Sequence, residues 1–318
     1  MPVYQLGNGN DYFDSATKPD FTNDSSVFGG NGDDTITVSA VSPFSTSHLF
    51  VDGGNGNDTI RLDAQNSVAF GGNGDDTITS IGGLGNTLIG GNGDDTLISV
   101  GGGSGMGPGN TLTGGLGHDT FILVNDGNLV VTNDVAGGVV GDSDVFKGPM
   151  DVITDYQRGE HIGLRQYDIN AGGPAATDTP LAQVDSVTLA ADPLQHTGDS
   201  FRPVIDSGQY AVFHGTFAGG NTFTVGANGP DLLAVYDTRN GPTELVGKGS
   251  LVLQGVTDDR LLAEALSPST VAGGGWDFSG LPGGGASFDV NAGPQGTALS
   301  AVLDKPADSV SAMGLIAT

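Results

Sequence analysis

One nine-residue phrase governs what this chain can fold into. GGNGDDTIT stands at residues 29–37 and recurs unchanged at 71–79, with GGNGNDTIR at 53–61, GGNGDDTLI at 90–98 and GGLGHDTFI at 114–122. The copies start 24, 18, 19 and 24 residues apart. Self-similarity at such a period marks a solenoid, in which a unit too small to hold a core buries its apolar residues against the units before and after it.

Weaker copies lie around the five. LGNGNDYFD at 6–14 is a degenerate copy with Leu6 in the first place and Asp11 in the sixth, and reads either as an N-terminal capping coil of poor metal affinity or as a further ion-binding turn. GGLGNTLIGG (82–91) and GMGPGNTLTGG (105–115) carry Asn86 and Asn110 where the strong copies have aspartate. Each coil thus holds two turns, one complete and one weakened. The stretches between turns alternate as strands do, with one apolar side chain turned inward. Ile36, Ile60, Ile78, Leu97 and Phe121 follow the aspartates, and Val27, Phe50, Val68, Leu88 and Leu112 precede the glycine pairs. Both sets are expected inside. The fold class is all-β, a flattened parallel β-roll with two short strands per coil.

Composition narrows the chemistry. Glycine supplies 56 of 318 residues, and the formal charge is −27. Of the 37 acids, 34 are aspartate and only Glu160, Glu244 and Glu264 are glutamate. A solvated acidic surface would mix the two, whereas aspartate holds its carboxylate close to the main chain, where turns and cation loops need it. Ten basic residues spread over the chain argue against nucleic acid or anionic lipid as partner. There is no cysteine, hence no disulfide and no thiolate metal site. The opening MPVYQLGNGNDYF lacks the basic and apolar regions of a cleaved secretory signal, and no apolar run is long enough for a membrane-spanning helix.

In GGNGDD, glycines at places 1, 2 and 4 admit backbone angles closed to other residues and leave carbonyls uncovered. Place 6 is always aspartate: Asp34, Asp58, Asp76, Asp95 and Asp119. Neighbouring coils stack about 4.8 Å apart, so two carboxylates and several carbonyls surround each gap between turns. Left empty, that gap repels itself. Ca²⁺ takes six to eight oxygens at about 2.3–2.6 Å, whereas Mg²⁺ demands a tighter octahedron and Zn²⁺ prefers Cys or His.

The phrase resembles the RTX (hemolysin-type) calcium-binding nonapeptide. That resemblance implies ions between stacked turns. Their ligands would be the five place-6 aspartates and the carbonyls of Gly30, Gly32, Gly54, Gly56, Gly72, Gly74, Gly91, Gly93, Gly115 and Gly117. The place-5 acids Asp33, Asp75 and Asp94 would add local negative charge, and His118 would be a spacer. Because the second edge is degraded, one row of ions is expected rather than two. Five turns leave four gaps, hence roughly four ions. After the repeat fades near residue 123, DTFIL followed by DVITDYQRGEHIGL (151–164) is similar to the segment behind the roll in serralysin-type C-terminal regions. LLAVYDT and LVLQGVTDDRLLAEAL resemble that module's last strands and closing helix. The expected organisation is a roll over 1–147, a β-rich cap over 148–266 and a Gly-rich tail over 267–318 placed as a type I secretion signal is.

The first 150 residues carry 18 Asp against Lys18, Arg61 and Lys147, a net charge of −15. So charged and glycine-rich a segment should stay open without calcium and close with it. The expectation is a secreted calcium-binding protein that passes a type I exporter unfolded and folds outside. There it would act as a structural or interaction protein, with polysaccharide or self-assembly as its contacts. The five histidines form no H-E-x-x-H, no G-x-S-x-G is present, and GPTELVGKGS (241–250) lacks phosphate-loop spacing. The chain is therefore read as no enzyme. The alternative is a secreted enzyme or pore-former with an unrecognised site in 165–265. Asp192–Pro193 is read as an ordinary turn.

Overall fold

The computed structural model describes residues 1–38, 48–82, 85–101, 108–124, 129–132, 138–168, 173–175, 177–191, 200–219, 221–239, 248–266, 276–277 and 287–288. Asp192–Pro193, residues 241–247 and nearly all of the tail lie outside them. The chain divides into Met1–Ser267 and Pro268–Thr318. In the second unit, Trp276–Asp277 pairs antiparallel with Ser287–Phe288.

The first unit is built on two parallel sheets facing each other. One is seven-stranded and stacks Tyr12–Asp14, Thr35–Val38, Thr59–Leu62, Thr77–Ile81, Thr96–Val100, Thr120–Val124 and His161–Leu164. Opposite them stand Val3–Asn8, Ser26–Asn31, Phe50–Asn55, Val68–Asn73, Thr87–Asn92, Thr111–Leu116 and Asp151–Ile153. Each coil contributes one strand to each sheet, and each strand pairs in register with its equivalent one coil on.

The core is a thin double row. Phe13, Ile36, Ile60, Ile78, Leu97, Phe121 and Ile162 stack along one sheet, against Val27, Val51, Ala69, Leu88, Leu112 and Ile153 of the other, all fully buried. Phe50 and Val68 were expected in this second row, and the structure corrects both. The residue two before each glycine pair points inward, which selects Val51 and Ala69, and register aligns those two with Val27 and Leu88. Phe50 and Val68 stand one residue earlier and therefore face out. Phe50 lies between Phe28 and Phe70, ring centroids 5.5 Å from each, as an outer aromatic row.

The repeat's end near 123 does not end the roll. After an excursion, 151–164 returns as a seventh coil, pairing Thr111↔Val152 on one side and Phe121↔Ile162 on the other. Strands Val130–Thr132 and Val145–Lys147 of the excursion pair antiparallel with each other. Beyond Asp151–Ile153 the large sheet continues through Lys248–Leu253, in parallel, into antiparallel Asp231–Asp237, Gln209–Phe217 and Thr222–Val225. This capping part has its own core around Phe146, Phe201, Phe223, Leu233 and Val252. Helix Asp259–Leu266, with Asp259 in its first turn, buries Leu262 and Ala265 in the roll's core beside Ile162 and Leu164.

Candidate metal centre

The five complete turns and the degenerate first one stack in a single column along one edge. Gly30 and Gly32 align over Gly7 and Gly9 and below Gly54 and Gly56, all with positive φ. At Gly54, φ is +110° and a Cβ would lie 2.2 Å from the carbonyl oxygen of Gly30. Places 2 and 4 therefore require glycine twice over, for the backbone angle and for the carbonyl rows that run along the turns. Place 1 requires it for a different reason. A Cβ on Gly53 would lie 2.3 Å from Oδ2 of Asp58 and 2.7 Å from the carbonyl oxygen of Gly71. The missing side chain leaves room for the aspartate.

The two oxygens of each place-6 aspartate do different work. Oδ1 accepts the backbone N–H of the aspartate one coil earlier: Asp34 N to Asp58 at 2.7 Å, Asp58 N to Asp76 at 2.7 Å, Asp76 N to Asp95 at 2.8 Å and Asp95 N to Asp119 at 2.9 Å. Asp11 N joins the ladder through Asp34 at 2.8 Å. Oδ2 of Asp34, Asp58, Asp76, Asp95 and Asp119 is buried with no hydrogen-bond partner. Each of these residues is 1% exposed.

Five buried carboxylate oxygens without donors are costly. Burial is the first cause of raised pKa values along the column, with neighbouring acids adding to it. Asp58 and Asp95 are pushed up to about 6 and Asp76 to about 7, while Asp34 and Asp119 move in the same direction.

The opposite edge is the internal control. Its ladder has the same form, but Ser67 N donates to Oδ1 of Asn86 at 2.9 Å and Asn86 N to Oδ1 of Asn110 at 2.9 Å. There the second atom is an amide nitrogen, and it has partners. Asn86 Nδ2 donates to the carbonyl of Ala64 at 2.8 Å and to Ser80 Oγ at 3.0 Å, and Asn110 Nδ2 to Ser99 Oγ at 3.0 Å. Ser80 and Ser99 are buried in what is otherwise an aliphatic row, placed to receive those amides. At Asn86 and Asn110 the weakened edge closes with hydrogen bonds, whereas the aspartate edge is left needing a positive charge.

Two outer ladders complete the strong edge. At place 5, Asn57 N donates to Asp33, Asp94 N to Asp75 and His118 N to Asp94, so these acids bind backbone. At place 3, the amides of Asn31, Asn55, Asn73 and Asn92 each donate to the asparagine one coil earlier, until exposed Leu116 ends the row.

Among the described residues, no three His, Cys, Asp or Glu side chains group as a metal site would need. An ion in this column would draw on one or two carboxylates and on backbone carbonyls. The donors present are oxygens alone, a set suited to calcium. A Cβ on Gly29, Gly53 or Gly90 would strike both the orphaned Oδ2 of its own turn's aspartate and the place-1 carbonyl of the next turn, that of Gly53, Gly71 or Gly114. The carbonyls of places 2 and 4 border the same stacked turns, those of Gly30 and Gly32 lying 2.2 and 2.3 Å from where a Cβ on Gly54 or Gly56 would stand. The nonapeptide pattern does not mark Asp155 and Glu160, which occupy the seventh coil at this same edge. The signal was present: EHIGL at 160–164 repeats the acid-then-apolar rhythm of DTFIL at 119–123.

Comparison with known families matches the RTX calcium-binding nonapeptide repeat, in four copies, over residues 23–40 and 52–80. Both segments lie in the roll and contain the turns of Asp34, Asp58 and Asp76. No curated protein matches the chain. The chain carries RTX calcium-binding repeats on a parallel β-roll.

Proposed function

We propose that this is a secreted RTX protein whose roll folds as calcium enters the column of turns, and which serves outside the cell as a structural or interaction protein. The observation that carries this is the set of five buried, donorless Oδ2 atoms on the repeat edge, set against the satisfied amides of Asn86 and Asn110 on the other. Calcium binding the folded state alone stabilises it by about 2.7 kcal/mol per site at a hundred-fold excess over its Kd. Roughly four occupied gaps reach about 10 kcal/mol, the whole stability of an ordinary domain.

Where calcium is scarce, the chain stays open and can thread a type I exporter, and outside it closes. The tail, 267–318, is the export signal in this reading, and full export after its deletion would remove that part. The external contact is polysaccharide or further copies of the chain, and no catalysis is assigned. Calorimetric titration of the metal-stripped chain tests the proposal. About four calcium-binding events coupled to folding support it, with no turnover on a panel of glycans and peptides. A chain that folds without binding calcium, or that turns over one of those substrates, contradicts it.

A further inference from the structure

The seventh coil has no glycine pair, yet it reaches the same edge. Thr120 pairs with His161 as Thr96 pairs with Thr120, so Glu160 stands one coil beyond Asp119 as Asp119 stands beyond Asp95. The backbone bond repeats too: His161 N donates to the Asp119 carbonyl at 3.0 Å, as Thr120 N does to Asp95 at 2.8 Å. Oε1 of Glu160 and Oδ2 of Asp119 are both buried, on residues 4% and 1% exposed, and have no hydrogen-bond donor, while the two carboxyl groups themselves lie within hydrogen-bonding reach of each other. The other oxygen of Glu160 is fixed by Gln157 N at 2.7 Å. Asp155 stands opposite Gly114 and spends both oxygens on the N–H groups of Gly114 and Gly115, at 3.0 and 2.9 Å. It adds negative charge to the pocket while holding the turn in place.

The same turn touches the closing helix. The Tyr156 hydroxyl lies 3.2 Å from the carbonyl of Glu160 and 3.5 Å from that of Leu261. Arg158 binds Glu264 through two bonds, at 3.0 and 2.7 Å.

We propose that Asp119 and Glu160 hold a hard divalent cation in a terminal site that the nonapeptide does not encode, and that filling this site locks helix Asp259–Leu266 onto the end of the roll. Two facing carboxylates in a buried pocket require either a cation or a shared proton. A glutamate reaches farther than an aspartate, which lets a turn lacking the glycine geometry deliver its oxygen to the gap. The proposal takes its ligand class from the calcium reading of the other turns.

The test counts calcium bound to the full-length chain, by native mass spectrometry with elemental analysis, in wild type, Glu160→Gln and Asp58→Asn. Hydrogen exchange at saturating calcium is followed over 156–160 and 259–266. Glu160→Gln is expected to bind one ion fewer and to exchange at least ten-fold faster in both segments. Asp58→Asn is expected to lose an ion while leaving the helix protected. A Glu160→Gln chain with the wild-type count and wild-type protection overturns the terminal site and leaves the other turns standing. A wild type that binds no calcium overturns the reading of the turns themselves. Should Glu160→Gln fail to fold, Tb³⁺ luminescence decides. Tyr156→Phe should remove a distinct part of the tyrosine-sensitised emission, and an unchanged titration would refute the site.

Discussion

Replacing Asp58 by Asn separates the two jobs of that side chain. Asparagine keeps the Oδ1 acceptor for Asp34 N and places an amide where Oδ2 stood, beside Gly53 in the gap that the Gly71 carbonyl also borders. The variant edge then copies the Asn86 arrangement at one step. Without calcium, the Asp58 carboxyl has its pKa raised from 3.8 to about 6 by burial. A raised acid stabilises the folded state below its unfolded pKa, and that help is gone once pH has risen through the folded value. At pH 7.5 the charge therefore costs the empty roll on the order of 2 kcal/mol, which the substitution removes. With calcium at a thousand-fold over Kd, one lost gap forfeits about 4 kcal/mol.

The two effects have opposite signs and can be read in one variant. In EGTA, the osmolyte concentration needed to drive folding, followed by far-UV circular dichroism, should fall. In buffer, the calcium concentration at the folding midpoint should rise several-fold. A variant that is harder to fold under both conditions, by similar amounts, would show Asp58 to be an ordinary structural hydrogen-bonding residue and would refute the division of labour.

Other consequences follow from the same geometry. In EGTA the roll should hold more β-structure at pH 4.5 than at pH 7.5, because Asp58, Asp76 and Asp95 ionise unfavourably between their ordinary value and about 6 to 7. With calcium the order should reverse, and circular dichroism at both pH values checks both signs. Gly54→Ala sets a Cβ 2.2 Å from the Gly30 carbonyl at φ +110°, and should cost on the order of 2 kcal/mol or more, measured as a higher calcium midpoint. Asn86→Asp removes the donors to Ala64 and Ser80 and buries an unpaired charge, and should destabilise by about 3 kcal/mol in urea titrations at saturating calcium.

The roll was legible because its information is periodic. Glycine pairs mark the turns, and one apolar residue per strand marks the inside. Parity was misjudged at Phe50 and Val68 because the larger hydrophobe was preferred over the count from the turn, which decides which face a strand residue takes. The ligand edge was legible to the level of Asp34, Asp58, Asp76, Asp95 and Asp119. That Oδ1 and Oδ2 part company was not, although the asparagines at 86 and 110 hinted that the ladder needs only one of the two oxygens. The seventh coil stayed hidden because Asp155 and Glu160 take the places of glycine and aspartate without the phrase around them. The antiparallel order of the cap, with Val145–Lys147 beside Thr222–Val225, joins strands far apart in sequence and leaves no local pattern to read.

The most direct test of the whole account is hydrogen exchange over residues 26–124, measured with calcium and then with excess EGTA. Strand amides of the roll should be strongly protected with the ion and exchange at rates close to those of an unfolded chain without it. Protection that survives chelation would mean that the thin aliphatic core alone holds the coils together, and the account would be wrong.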